Sequence, residues 1–134
     1  EIEIDRSFEI VLEGAKTVVS VDYIVVLEGK RFMAIKCSPG ALGSRERHIV
    51  SFARLVDSHQ IPVAVVTDGF HASMLDTVSG KRLGEGLDSL PDRARAEEML
   101  HATELVPYPA DRSEREKRIL LAFDTIKCTE ESCE

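Results

Sequence analysis

The stretch Val21-Asp22-Tyr23-Ile24-Val25-Val26-Leu27-Glu28-Gly29-Lys30-Arg31-Phe32-Met33-Ala34-Ile35-Lys36-Cys37 decides how the chain is read. Two runs rich in β-branched and aromatic residues flank Glu28-Gly29-Lys30, which is the pattern of a hairpin. With those three residues as the loop, Leu27 faces Arg31, and counting back pairs 26 with 32, 24 with 34 and 22 with 36. Asp22 and Lys36 then stand opposite one another, about 5 Å apart at Cβ. Ala34 shares their face, because strand side chains repeat with period two. A carboxylate and an ammonium thus occupy a patch lined by Ile24 and Phe32. Two readings stay open: a cross-strand ion pair, or a metal-ligating carboxylate beside a lysine that orients a water and stabilises developing negative charge.

Working outward, residues 2 to 12 alternate, with Ile2, Ile4, Phe8, Ile10 and Leu12 on one parity, as in a half-buried strand with one wet face. A turn at Glu13-Gly14-Ala15-Lys16 leads to a second strand over 17–27, and the third runs from Arg31 to Cys37, completing an antiparallel meander. Ser38 to Gly43 is a loop of breakers. Ser44 can cap a helix reaching about Gln60, with Ile49, Phe52, Ala53 and Val56 as its buried stripe. Val63-Ala64-Val65-Val66 is continuously apolar and reads as a central strand of a mixed sheet, covered on both faces. A hairpin over 73–84 turns at Ser79-Gly80, and a helix follows over 91–103. Ser113 to Glu116 fits a capping box, and Ile119, Ala122, Phe123 and Ile126 give the last helix its stripe.

Composition limits what such a domain can be. At 134 residues the chain is one ordinary domain, expected to span 1–134, with enough surface to bury a core without staples. Lys and Arg number 17 against 24 Asp and Glu, a net charge of −7, which argues against coating nucleic acid non-specifically. No run approaches the roughly 18 apolar residues of a membrane span, and no charged-then-apolar leader opens the chain. Three scattered cysteines argue against a disulfide framework and for a reducing cytoplasm. The chain begins Glu1-Ile2 without methionine, so an upstream segment is expected to be missing.

The pattern of Asp22, hairpin, then Lys36 resembles the PD-(D/E)XK nuclease superfamily. The wider string resembles the N-terminal nuclease-type domain of type I restriction enzyme R subunits, through Val21-Asp22-Tyr23-Ile24-Val25-Val26, Gly29-Lys30, Ile35-Lys36, Ile61 to Gly69 and Gly84-Glu85-Gly86-Leu87-Asp88. The resemblance covers about residues 17 to 90. It implies a restriction-endonuclease-like α/β fold, an antiparallel meander followed by helix and strand in a mixed sheet, with C-terminal helices beyond. It also implies magnesium-dependent hydrolysis of DNA phosphodiesters, with Asp22 as metal ligand and Lys36 as the motif's lysine, and DNA and other restriction subunits as partners. A homo-oligomer stays open.

The chain departs from that pattern at one position. Where the family carries an acidic residue two before the lysine, this sequence has Ala34, and one carboxylate holds magnesium poorly because the ion wants several oxygen ligands. The superfamily's further carboxylate, from a helix before the first strand, would lie upstream of residue 1. Three explanations follow: lost activity, an engineered change at 34, or a substitute carboxylate. Glu46 is the substitute to test as catalytic residue and metal ligand, since it aligns with the buried stripe; as a first-turn glutamate it also simply suits the helix dipole. Ala34→Glu, into room left by a methyl group, is the expected route to restored ion binding.

Arg45 and Arg47, with His48 and Arg54, concentrate positive charge on one helix, which either meets a DNA backbone weakly and salt-dependently or forms a solvated face. Ser38 to Ser44 could offer N–H groups to a phosphate, but lacks nucleotide-loop spacing. Cys128 and Cys133 resemble half of a metal site without its partners. Cys37 has core parity, and the four histidines show no ligand spacing. Arg112 to Arg118 mixes both signs and reads as a solvated helix end.

Overall fold

The computed structural model describes residues 1–38 and 43–132, the side chains of 43, 44 and 123–132 excepted. Strands β1 (Ile2–Leu12), β2 (Ala15–Leu27) and β3 (Lys30–Cys37) form the meander. Helix α1 (Gly43–Leu55) leads to β4 (Val63–Thr67), then β5 (Ala72–Asp76) and β6 (Arg82–Glu85). Helices α2 (Arg93–Ala102) and α3 (Ala110–Ser132) follow. The six strands form one sheet in chain order. All neighbours are antiparallel except β3 and β4, which run parallel. A parallel pair cannot be closed by a tight turn, so α1 is its crossover.

Helices cover both faces of the sheet. Ile24, Ala34, Ala64, Val66 and Leu75 pack under α1 and α3 with Phe52 and Leu120. On the other face Met33, Val63, Val65 and Met74 pack under Ala96 and Leu100 of α2. Every residue of β4 is buried, as its unbroken apolar run predicts. Each fully buried aliphatic or aromatic side chain in these layers contributes about 1.5–3 kcal/mol.

The hairpin register departs from expectation at the loop and agrees beyond it. Leu27 pairs with Lys30, so the turn is the two residues Glu28-Gly29, both left-handed (φ 51° and 76°), as a type I′ turn requires. A bulge between Val25 and Val26 then absorbs one residue of β3, and Ile24 faces Ala34 as counted from a three-residue loop. Phe32 is that extra residue, and it packs on the α2 face rather than beside Asp22.

Other expectations need correction. Ile2 and Ile4 are 58% and 61% exposed, although Phe8 and Ile10 pack as read. The β1–β2 ladder keeps its register but skips Asp5 and Asp22, with Asp5 at φ 51°. Beyond this kink the parity of the covered face changes: Val19 and Val21 pack under α1 and α3, whereas Val25 and Leu27 face α2. Cys37, read as buried, is exposed at the strand's end. Helix α1 stops at Leu55, because the chain reverses and Ile61 N–H takes the Ala53 carbonyl (2.8 Å). Helix α2 begins at Arg93, behind the Asp92 cap that accepts from Arg95 N–H (2.9 Å).

The last helix begins at Ala110, earlier than a capping box at Ser113 would allow, and Ser113 Oγ donates to the Ala110 carbonyl (2.9 Å). Glu116 is therefore no cap and no solvated helix end: it is 2% exposed. Its carboxylate accepts from Arg47 Nη1 and Nη2, Arg54 Nη1 (3.0 Å), Ser51 Oγ (2.9 Å) and the Tyr108 hydroxyl (3.2 Å). The buried phase of α3 is Glu116 and Leu120, and Ala122 is exposed. Phe123 and Ile126 lie outside the described side chains.

Burial opposes ionisation of Glu116, but the hydrogen bonds from Arg47 and Ser51 and the charges of both arginines outweigh it and hold the carboxyl at about 2. Its folded value lies below its unfolded one, so its stabilisation is full above about pH 4.5 and fades as pH falls towards 2. Replacing Glu116 with alanine leaves the partly buried Arg54 without its counter-charge and should cost about 3 kcal/mol. Urea unfolding at pH 7 measures this, and the gap between variant and native protein should shrink as pH falls from 4.5.

Candidate functional site

Asp22 sits where β2 leaves β3. Pairing between the strands runs as far as Tyr23 with Ile35, and the Asp22 carboxylate takes over from the ladder, accepting from Cys37 N–H through Oδ2 (2.8 Å). The same oxygen lies 3.8 Å from Lys36 Nζ. The Lys36 side chain is 13% exposed and that of Asp22 33%, so the pair is partly shielded from water. The two residues are thus brought together as the hairpin count predicts.

Ala34 lies between them in the pattern but not in an open site. It is fully buried, with Ile24 across one edge of β3 and Ala64 across the other, inside the cluster under α1. The room expected beside its methyl group is filled.

Glu46 is placed elsewhere. Its carboxylate accepts from Arg82 Nη2 (2.8 Å) on β6 and lines a cavity of about 440 Å³ beside Leu75, Ser79 and Gly80. Arg47 is committed to Glu116 and donates to Ser51 Oγ (2.9 Å), while Arg45 is half-buried in the first turn of α1. The structure therefore unites Asp22 with Lys36 and commits Arg47, but not Arg45, to the buried Glu116 carboxylate.

The donor set does not suit magnesium. One carboxylate oxygen of Asp22 is already shared by an ammonium and a backbone N–H, and Ala34 offers no oxygen. Among the described residues no three His, Cys, Asp or Glu side chains group so as to hold a metal ion. An octahedral ion that dehydrates reluctantly needs more than this. Cys37 is no better as a nucleophile: partial desolvation and the Asp22 charge push its thiol up, against the pull of Lys36, so the thiolate is disfavoured. Cys128 and Cys133 lie outside the described side chains, as do residues 39–42 of the loop read as a candidate phosphate cradle.

The loop after β4 adjoins this site, since Ser38 N–H donates to the Thr67 carbonyl (2.8 Å). Asp68 Oδ1 accepts from His71 N–H (2.6 Å) and Phe70 N–H (2.8 Å), and these bonds, helped by the His71 ring, hold its carboxyl at about 2. Phe70 stands 85% exposed on this stiffened turn. Thr67-Asp68-Gly69 shows the turn in the sequence, but the outward aim of Phe70 depends on the bonds that close it.

The family model for the type I restriction enzyme R protein N terminus matches residues 2–91. No curated protein matches the chain, and no solved structure does. No helix among the described residues is long and apolar enough to cross a membrane.

The two bonds of Asp22 can be separated. Asp22→Asn keeps an acceptor for Cys37 N–H and loses the ion pair, which at this exposure should cost under about 1 kcal/mol. Asp22→Ala loses both and should cost about 1 kcal/mol more, by leaving a strand-end N–H unpaired. Denaturant unfolding of the three proteins gives the comparison.

Proposed function

The chain belongs to the type I restriction enzyme R protein N-terminus family, and on that premise we propose that it is a restriction-system domain that keeps the nuclease scaffold without cutting DNA itself. The observation that carries this reading is Ala34. At the place where the resembled motif requires a second carboxylate stands a fully buried methyl group, packed between Ile24 and Ala64. Phosphodiester hydrolysis by a bound divalent ion needs that ion held in a defined, open coordination geometry. Asp22 alone supplies one oxygen ligand group, and Glu46 is engaged with Arg82. Asp22 and Lys36 instead fasten the end of β3 to the middle of β2.

In this reading the domain contacts DNA weakly, through backbone phosphates rather than base edges, which suits a chain of net charge −7 with local groups of basic side chains on α1 and the start of α3. Arg45 contributes to that contact more than Arg47, whose guanidinium Glu116 occupies. A second reading, docking onto other restriction subunits, is favoured by Ile2, Ile4 and Tyr23, which leave an apolar strip on the edge hairpin at 58%, 61% and 40% exposure.

Calorimetric titration of manganese into the native chain should give no saturable binding, and magnesium should leave the melting temperature unchanged. Plasmid incubated with the chain and either ion should remain uncut. Saturable ion binding with nicking would overturn the reading. Ala34→Glu, introduced into a filled core, should lower stability by more than about 2 kcal/mol rather than create an ion site, because it both overpacks and buries a carboxylate.

A further inference from the structure

Between α1 and the beginning of α3 lies a cavity of about 340 Å³ whose walls carry Arg47, Arg54, Arg112 and Arg115 around the ring of Tyr108. Two carboxylates, Asp111 and Glu116, complete its lining. Four guanidinium groups against two acids leave a local charge of +2 in a protein whose net charge is −7. We propose that this cavity is a phosphate-binding site.

The arrangement separates support from reception. Glu116 is the natural i,i+4 partner of Arg112 on the helix surface, yet it is turned inward and spent on Arg47 and Arg54. Arg54 is fixed further by donating to the carbonyls of Thr77 (2.9 Å) and Val78 (3.2 Å) and by lying 5.4 Å over the Tyr108 ring. Those two arginines form a rigid floor. Arg112 and Arg115 stand exposed at its rim, and among the described residues neither enters an ion pair. Their neighbour Arg118 shows the contrast, held by Glu13 (2.8 Å) and Glu114 (2.6 Å).

Guanidinium forks match the paired oxygens of a phosphate, and they lose little hydration in doing so. Asp111 opposes a fully charged dianion, which favours the single negative charge of a phosphodiester or of monobasic phosphate. The ligand chemistry is therefore a phosphate group, free or in a nucleic-acid backbone. Only the second source rests on the functional reading above.

The test uses the full chain and inorganic phosphate. Melting temperature is followed against phosphate and against chloride at matched ionic strength. Native protein should show a saturable rise with phosphate alone. Arg112→Ala with Arg115→Ala, both exposed and outside the ion-pair core, should weaken the phosphate midpoint roughly tenfold or more, while Arg95→Ala on α2 should leave it unchanged. Arg112→Lys with Arg115→Lys, keeping charge without the fork, should fall between.

Identical phosphate and chloride curves, or a double alanine variant that responds like native protein, would overturn the site. A labelled DNA duplex then identifies the source. Loss of about 1.8 from the salt slope in the alanine variant assigns the site to backbone phosphates. An unchanged DNA slope with a lost phosphate response assigns it to free phosphate. Divalent-ion cleavage by the chain would overturn the functional reading and leave this site standing.

Discussion

Parallel pairing of β3 with β4 constrains everything around it. Two parallel strands need a long crossover, and the crossover must cover a face of the sheet. Helix α1 does so, and its Ile49, Phe52 and Ala53 close over Ile24, Ala34, Ala64 and Val66. The same pairing brings the carboxyl ends of β3 and β4 side by side, with Ser38 bonded to Thr67. Lys36, Asp22 and the Asp68–His71 turn are neighbours for that reason.

Covering the sheet with α1 creates a second requirement. The helix carries arginines on the side that meets α3, and a charge shielded from water is costly unless paired and hydrogen-bonded. Glu116 meets the requirement with five donors from α1 and Tyr108. This knot joins α1 to α3 more specifically than apolar contact would, since each donor has a direction. It also releases Arg112 from its helical partner, so one interaction stabilises the interior and leaves the rim of the adjoining cavity basic.

Position 34 decides how this face of the sheet packs. The scaffold presents Asp22, residue 34 and Lys36 along one face, as the nuclease-type pattern does. With alanine at 34 the face closes, because a methyl group admits Ile24, Ala64 and α1 to contact distance, leaving Asp22 to bond Lys36 and a strand-end N–H.

Periodicity made much of this legible. Period-two alternation located the meander, the unbroken Val63 to Val66 run gave the doubly covered strand, and counting from the hairpin set Asp22 opposite Lys36. The count survived a wrong loop length because a two-residue turn plus a bulge restores the register of a three-residue loop, a degeneracy that spacing alone cannot resolve. Alternation also marked Ile2 and Ile4 as facing one way, but where the covering helices end is no property of β1. Glu116 was hidden for a related reason: a mixed-charge run reads alike whether a residue faces water or a neighbouring helix. Its partners on α1 lie 62 to 69 residues away in the chain. Backbone periodicity is written in adjacent residues and was settled by sequence, whereas which charge loses its water depends on what packs against it, and only the tertiary structure decides that.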